Sequence, residues 1–417
     1  MSGSKTRRRV HILLISLIIW SALCFSASAH ILLYVAVVAL STGVVILDYL
    51  LGYRNKRQNI FSYVLWVLIF NMVLFCYGFD SPYGGYSIPY HITTVLAVLM
   101  VYCLMAAHRD ELFQFLFWVS CLSTVIITVY LLLGEREMLM NKFAYIMMGT
   151  SWYRLGNALH INPNTITLYY WILCIPVVYA LFTKEYKLNK LVLLTVLLIQ
   201  VTVVLLTGSK KGILLVFIVF LAIPFVSDKA STRAKSFLVS GMVVAVLVYL
   251  TFTNQFFFNL IGHRIVDLFN HYGISVHTIY KNDLTGTSTD LRNRLIAIAM
   301  DMFWQKPFLG WGWNAVEARG GLHLYAHNNY AELLACMGLF GFIVYYSYYA
   351  VLVMKLLLKK GTFNTRFNFV LLLCVLFIDM TSINMYGGIV TYFILAVISL
   401  NMERNDSVND QLPARVK

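Results

Sequence analysis

The chain has 417 residues, of which 60% are hydrophobic and 12% charged, with 32 Lys and Arg against 18 Asp and Glu. A water-soluble globular protein carries about 25% charged residues, so this composition leaves too little polar surface to face water. It excludes an ordinary soluble enzyme and a disordered chain. The net charge of +14 raises nucleic acid as a partner, but in a membrane protein such an excess is first an orientation signal.

A bilayer core asks for roughly 20 apolar residues per helix. Twelve stretches meet that template, near residues 12–28, 31–51, 60–78, 91–107, 112–134, 165–182, 191–207, 212–226, 237–253, 331–354, 367–380 and 387–402. None alternates as a membrane-barrel strand would. The fold class is therefore all-α, a polytopic integral membrane protein of about twelve transmembrane helices forming a single transmembrane domain over 1–417. At the start, Arg7-Arg8-Arg9, an apolar stretch and Ala27-Ser28-Ala29 resemble a signal peptide. The next span follows at once and needs no separate export signal, so the first is read as retained. Cys24, Cys76, Cys103, Cys121, Cys174, Cys336 and Cys374 all fall in apolar runs, without a C-x-x-C pair. They read as small hydrophobes, with no disulfide framework, no metal site and no cofactor.

Loop charge alternates along the chain. Twenty-one basic residues fall in one set of short segments, at 5–9, 54–57, 109, 184–190, 229–235, 355–366 and 404–417. That set marks the cytoplasmic side and places both termini there. The other eleven, including Arg154, Lys210, Lys211, Arg292 and Arg294, fall on the outer face, against the trend. Most of the positive charge thus reports topology, and the nucleic-acid reading drops away. The outer residues concentrate near 135–164, in the tight turn Gly208-Ser209-Lys210-Lys211-Gly212, and in an extracytoplasmic loop over 254–330 before the tenth span. A loop that long is of a kind associated with function. It should carry its own helix, since Arg294–Trp304 is apolar at helical spacing before Pro307 ends it.

The sharpest local pattern starts at His327, with Asn328 next, then Gly338 and Gly341. A His-Asn pair alone commonly caps a helix. The two glycines should let a neighbouring backbone approach closely, as small residues do between membrane helices, anchoring the histidine to a tightly packed span. Other outer histidines, His160, His263, His271, His277 and His323, lack such a setting and read as solvated. Asp48 and Asp379 fall near span ends and are expected to reach the interface. The 28 Phe, 27 Tyr and 8 Trp are assigned mainly to lipid-facing surface and interfacial belts. Trp152, Trp311 and Trp313 are candidates to stack on sugar rings.

The spacing H-N-x9-G-x-x-G at His327 resembles the signature of the bacterial O-antigen ligase and polysaccharide polymerase superfamily. Three further segments are similar to that family in order and setting. They are Arg154-Leu155-Gly156 with Asn162-Pro163-Asn164; Thr207-Gly208-Ser209-Lys210-Lys211-Gly212, with Lys210 where Arg is commoner; and Arg294 followed by Pro307-Phe308-Leu309-Gly310-Trp311-Gly312. The resemblance is strongest over a ligase- and polymerase-like core at 140–345, and implies a GT-C-like membrane fold in the bacterial cytoplasmic membrane. It implies an undecaprenyl-pyrophosphate-linked glycan as donor and a glycan or lipid A core as acceptor, with membrane lipids and other polysaccharide-assembly proteins as partners. It also implies His327 as general base and Arg154, Lys210 and Arg294 as the pyrophosphate clamp, with Lys211 and Arg292 as second choices. Arg offers a planar fork to phosphate where Lys offers a point charge. The expected activity is metal-independent, inverting glycosyl transfer, as a polymerase or alternatively as an O-antigen ligase. A polysaccharide or lipid flippase is the remoter reading. It suits a twelve-span chain but calls for repeats and broken helices with midplane polar sites, which the sequence does not show.

Overall fold

The computed structural model describes residues 2–24, 31–52, 61–80, 88–147, 154–183, 189–209, 211–212, 214–215, 218, 226, 230–262, 266, 287–359, 361–386 and 388–410. Among the described residues the regular structure is helical, without strands. We label the helices α1 (Ser2–Cys24), α2 (Ile31–Leu50), α3 (Phe61–Asp80), α4 (Ile88–Ala106), α5 (Leu112–Gly134), α6 (Arg136–Met147) and α7 (Pro163–Phe182). After these come α8 (Lys190–Leu206), α9 (Ala230–Thr253), α10 (Thr287–Gln305), α11 (Ala315–Arg319), α12 (Asn329–Leu358), α13 (Phe363–Thr381) and α14 (Ile389–Asp410).

Among the described residues, six stretches are long and apolar enough to cross a membrane: Ile31–Leu50, Pro89–Ala106, Arg109–Gly134, Pro163–Phe182, Asn329–Leu358 and Phe363–Thr381. Shorter apolar helices at Ser62–Tyr77 and Lys190–Leu206 coincide with two more of the expected spans. Helices α1, α9 and α14 occupy three others. The expected span at 212–226 lies mostly outside the described residues. The helix anticipated at Arg294–Trp304 is present as α10, starting earlier and stopping before Pro307.

The helices group into two compact units, each discontinuous in sequence: residues 1–28 with 111–286, and residues 29–110 with 287–417. In the first unit α5 packs on α1 and α7, and α7 on α8. Helix α7 starts where Asn162 Oδ1 accepts the Asn164 N–H at 2.9 Å and Pro163 takes the first helical position. It is apolar on every side, as an enclosed helix must be. Pro176 disturbs its hydrogen-bond ladder. In that turn the Leu173 carbonyl accepts from Ser120 Oγ at 2.6 Å and from Gln200 Nε2 at 3.3 Å. Side chains thus satisfy backbone groups that lipid could not.

In the second unit α12 packs on α3, α10, α11 and α13, and α14 on α4 and α13. Its centre is aromatic. Trp66 Nε1 donates to the carbonyls of Val344 and Tyr345, and its ring stacks on Tyr348 with centroids 5.1 Å apart. Tyr63, Tyr102 and Tyr345 are fully buried, as are Tyr34 in this unit and Trp171, Tyr170 and Tyr179 in the other. Many aromatics expected on lipid-facing surfaces are therefore core residues. Each ring buries a large apolar area, and the polar atoms of Trp66, Tyr63, Tyr170 and Tyr345 also find hydrogen-bond partners.

Helix α12 is broken. Gly338 has φ 62° and ψ −163°, outside the helical region. The 307–312 loop fills the gap: Trp311 and Gly312 donate their N–H groups to the carbonyls of Ala335 and Cys336, at 3.0 and 2.8 Å. In return the N–H groups of Leu339 and Phe340 donate to the carbonyls of Pro307 and Phe308, at 2.8 and 3.1 Å. The expected close approach of a neighbouring backbone is met at Gly338, where the neighbour is this loop and not another membrane helix, but not at Gly341. A side chain at Gly338 would place its Cβ 2.4 Å from the Phe308 carbonyl group, and one at Gly310 would sit 2.5 Å from that of Cys336. At Gly341 the collision would be with Met337 of the same helix, at 2.2 Å. Backbone meets backbone at this point, so no flexible atom can yield. Gly338→Ala and Gly310→Ala should each cost about 2 kcal/mol or more, read as earlier thermal unfolding in detergent. Gly43→Ala, where nothing lies within 4 Å, should change stability by about 1 kcal/mol or less.

Candidate functional site

The first unit joins three of the sequence motifs into one knot. Arg154 Nε donates to the Thr207 carbonyl at 2.8 Å, and its Nη2 to Asn164 Oδ1 at 3.0 Å. Ser209 Oγ donates to the same Asn164 oxygen at 2.8 Å, and the Thr167 and Thr207 hydroxyls pair at 2.7 Å. The Leu155 N–H reaches the Leu206 carbonyl at 3.3 Å. The R-x-G segment, the N-P-N segment and the T-G-S-K turn are therefore one structure, with Asn164 at its middle. Gly212 is required there, because a Cβ would lie 2.2 Å from Thr167 Cγ2. Lys210 itself lies outside the described residues, and Lys211 is half-buried just after the turn.

Two of the Arg154 nitrogens are thus committed to holding the turn. That geometry gives Arg154 a scaffolding task beside any direct contact with an anion.

Glu135, at the end of α5, completes the knot. Its Oε1 accepts the N–H groups of Gly156 and Ala158 at 2.7 and 3.1 Å, and the residue is buried. Gly156 has φ 108°, with a would-be Cβ 2.6 Å from the Ile161 carbonyl oxygen, so the loop turns sharply at glycine over a buried carboxylate. Glu135 carried no motif signal; its only mark was an acid directly after an apolar span.

The second unit holds the histidine. His327 is half-buried with φ 53°, a left-handed conformation that costs a non-glycine residue about 1–3 kcal/mol. Its ring packs on Tyr325, with centroids 4.2 Å apart. Asn328 caps α12 by accepting the Ala331 N–H at 3.1 Å, as the capping reading anticipates. Asn329 Oδ1 accepts the N–H groups of Asn384 and Met385 at 2.9 and 3.0 Å, tying the loop before α14 to the start of α12.

Arg292 is half-buried and Arg294 exposed on α10; two positions apart on a helix, they do not share a face. Burial raises the Tyr325 hydroxyl pKa, and the positive charge of Arg292 draws it back. Within this unit it is Arg292, the second choice in the sequence, that acts electrostatically on the residue packed against His327. His323 is exposed, also with a left-handed φ of 51°.

Two acids differ from expectation or escaped it. Asp379 does not reach the interface. It is fully buried and accepts from Asn384 Nδ2 at 2.6 Å, Tyr346 Oη at 3.1 Å and Tyr349 Oη at 3.2 Å. A carboxylate is tolerated inside because those donors replace water. Glu332 in the first turn of α12 is also fully buried, its Oε2 accepting the Ala326 N–H at 2.7 Å. The sequence signal for it was the acid itself, five residues after His327 in an otherwise apolar run.

Of the tryptophans considered for sugar stacking, Trp313 is buried, stacked on Tyr386 with centroids 5.5 Å apart and edge-on to His91. Trp311 has Lys306 Nζ 4.0 Å from its ring centroid and Arg319 at 5.1 Å, and donates its Nε1–H to the Met302 carbonyl. Trp152 lies outside the described residues. Among the described residues no group of three or more His, Cys, Asp or Glu side chains gathers in a metal-binding arrangement. Glu135→Ala should strip the acceptor from two loop N–H groups and cost about 1–3 kcal/mol, read in detergent thermal unfolding. Glu135→Gln, which keeps an acceptor oxygen, should lose less.

Residues 194–346 match the family model described as O-antigen ligase (Wzy_C). That stretch takes in the Thr207–Gly212 turn, α10, the 307–312 loop, His327 and the break at Gly338; Arg154 and Asn164 fall before it. No curated protein matches the chain. The similarity to the O-antigen ligase family is carried by residues 194–346, which lie within an otherwise helical chain with several membrane-length apolar helices.

Proposed function

We propose that the protein transfers glycan from an undecaprenyl-pyrophosphate carrier to a sugar acceptor at the extracytoplasmic face of the bacterial cytoplasmic membrane, as a polysaccharide polymerase. One observation carries the reading. Within the matched region, a half-buried histidine is held in a strained conformation immediately before a broken membrane helix. Strain of that kind persists where the surroundings over-determine it, and it clusters at functional positions.

In the proposed reaction the acceptor hydroxyl attacks the anomeric carbon of the donor glycan while its proton passes to the imidazole of His327. The new C–O bond forms as the bond from that carbon to the pyrophosphate oxygen breaks. The electron pair leaves with undecaprenyl pyrophosphate. Displacement from the opposite face inverts the configuration. An ordinary imidazole, with a pKa of about 6.5, is largely neutral at pH 7 and can accept the proton. Negative charge grows on the departing pyrophosphate, and fixed cations lower that barrier. Arg154, Lys210 and Arg294 are assigned to this task from the sequence, with Lys211 and Arg292 as second choices. Arg292 is half-buried and its charge acts on Tyr325, the residue packed on His327, which supports counting it among these cations alongside the exposed Arg294. No metal takes part in this scheme.

Ligase activity toward a lipid A core acceptor is the second reading, favoured by the description of the matching family. The flippase reading loses ground for a different reason. Helix α12 is indeed broken, but the break is filled by protein backbone from 307–312, not left open as a midplane site.

His327→Ala should lower transfer by about 10²–10⁴-fold, the usual worth of a general base, with the protein level and membrane insertion unchanged. Normal glycan length and attachment in that variant would exclude His327 as the base. Reconstitution with a defined undecaprenyl-pyrophosphate glycan tests the class of reaction. Elongation of lipid-linked glycan without another acceptor identifies a polymerase; product formed only when lipid A core is added identifies a ligase.

A further inference from the structure

The buried carboxylate of Glu332 has no task in the reaction just described, and its placement shows what it does. Burying an acid in an apolar helix is unfavourable unless its oxygens are hydrogen-bonded. One oxygen accepts the Ala326 N–H at 2.7 Å, and the other faces the Cys336 thiol at 3.7 Å. The Cys336 sulfur in turn accepts from the Tyr386 hydroxyl at 3.3 Å, and that hydroxyl accepts the Asn314 N–H at 2.8 Å. Burial holds the Tyr386 pKa well above its ordinary value, so the hydroxyl keeps the proton it donates.

An acid in a helix's first turn ordinarily interacts with the macrodipole from the surface. Here the carboxylate instead turns inward and reaches back past the helix start to the residue before His327. The histidine is thereby gripped on both sides, at Ala326 by Glu332 and at Asn328 by the cap on Ala331. A left-handed backbone at His327 would relax toward ordinary conformations if either grip were released.

We infer that Glu332 is a positioning residue, holding His327 through the Ala326 amide in the orientation that proton transfer needs. The inference rests on the reading of His327 as general base and adds a residue to it. What Glu332 supplies is an acceptor oxygen at a fixed distance, not a negative charge.

That distinction sets the test. Glu332→Gln keeps an oxygen at the same reach, Glu332→Asp keeps the charge but shortens the reach, and Glu332→Leu removes the acceptor. In full-length protein reconstituted with undecaprenyl-pyrophosphate glycan, kcat of the Gln variant should stay within about threefold of the parent. The Asp and Leu variants should lose about 100-fold, the scale of a misplacement near 1 Å, with KM for the donor within about threefold. Independently of activity, carbethoxylation of His327 by diethyl pyrocarbonate, followed by peptide mass spectrometry, should quicken several-fold in Asp and Leu but not in Gln.

Retained activity in Asp with loss in Gln would overturn the inference, because charge would then be what matters. Unchanged His327 modification in both Asp and Leu would overturn it as well. If the Leu variant fails to fold, the Gln and Asp pair still decides. Full activity in His327→Ala would sink the general-base reading. The modification rates would still report whether Glu332 holds the histidine in place.

Discussion

The constraint on which the second unit depends is that a membrane helix cannot leave backbone hydrogen-bonding groups unpaired. Helix α12 violates its own ladder at Gly338, and the violation is stable because the 307–312 loop brings its own N–H and carbonyl groups to the gap. Four backbone hydrogen bonds stitch loop to helix. Two glycines are needed because both partners are main chain at contact distance. The same stitch fixes the end of α10, whose Met302 carbonyl accepts from Trp311, and it sets the short half of α12 that begins just after His327. A family signature that looks like a helix-packing motif is thus the record of a loop inserted into a broken helix.

Around that frame, buried acids act as fasteners. In the first unit Glu135 holds the loop beside Arg154 by two backbone N–H groups. In the second, Glu332 holds the residue before His327, and Asp379 gathers Asn384, Tyr346 and Tyr349. Each carboxylate is enclosed and each faces donors, the condition under which a charge-bearing group can sit inside a low-dielectric protein. Loops that carry functional residues are otherwise the most mobile parts of a protein. Tying them to helix ends through buried acceptor oxygens is a direct way to preorganise a site.

Arg154 shows the same economy within a single side chain. Its guanidinium joins the 207 turn to Asn164, so motifs 53 residues apart share one hydrogen-bonded centre. Sequence similarity alone presents these motifs as a row of anion-binding candidates. Packing shows that one of them also builds the turn on which the next ones are mounted.

Much was legible from one dimension. Apolar runs of bilayer length located the helices, because hydropathy over some twenty residues is a property of the segment itself and needs no partner. The His327 spacing and the P-x-x-G-x-G stretch pointed to the superfamily for a related reason: each is a short pattern contained in one segment, and Gly338 and Gly310 within them sit where a Cβ would strike main chain. What stayed hidden were relations between distant segments. Asp379 looked like an interfacial acid because its donors are supplied by α12 and by the loop before α14, and no window around residue 379 contains the α12 partners. Glu332 and Glu135 looked ordinary because a single carboxylate becomes a fastener only when folding brings a backbone amide to it. The aromatics were assigned to lipid because hydropathy does not say which face of a helix is covered. By itself the sequence determined a helical membrane protein that resembles the O-antigen ligase family and has a histidine at a helix start. Only the tertiary structure decided that the helix is broken, what fills the break and which buried acids hold the loops, since hydrogen-bond pairing across long separations is decided by geometry and not by composition.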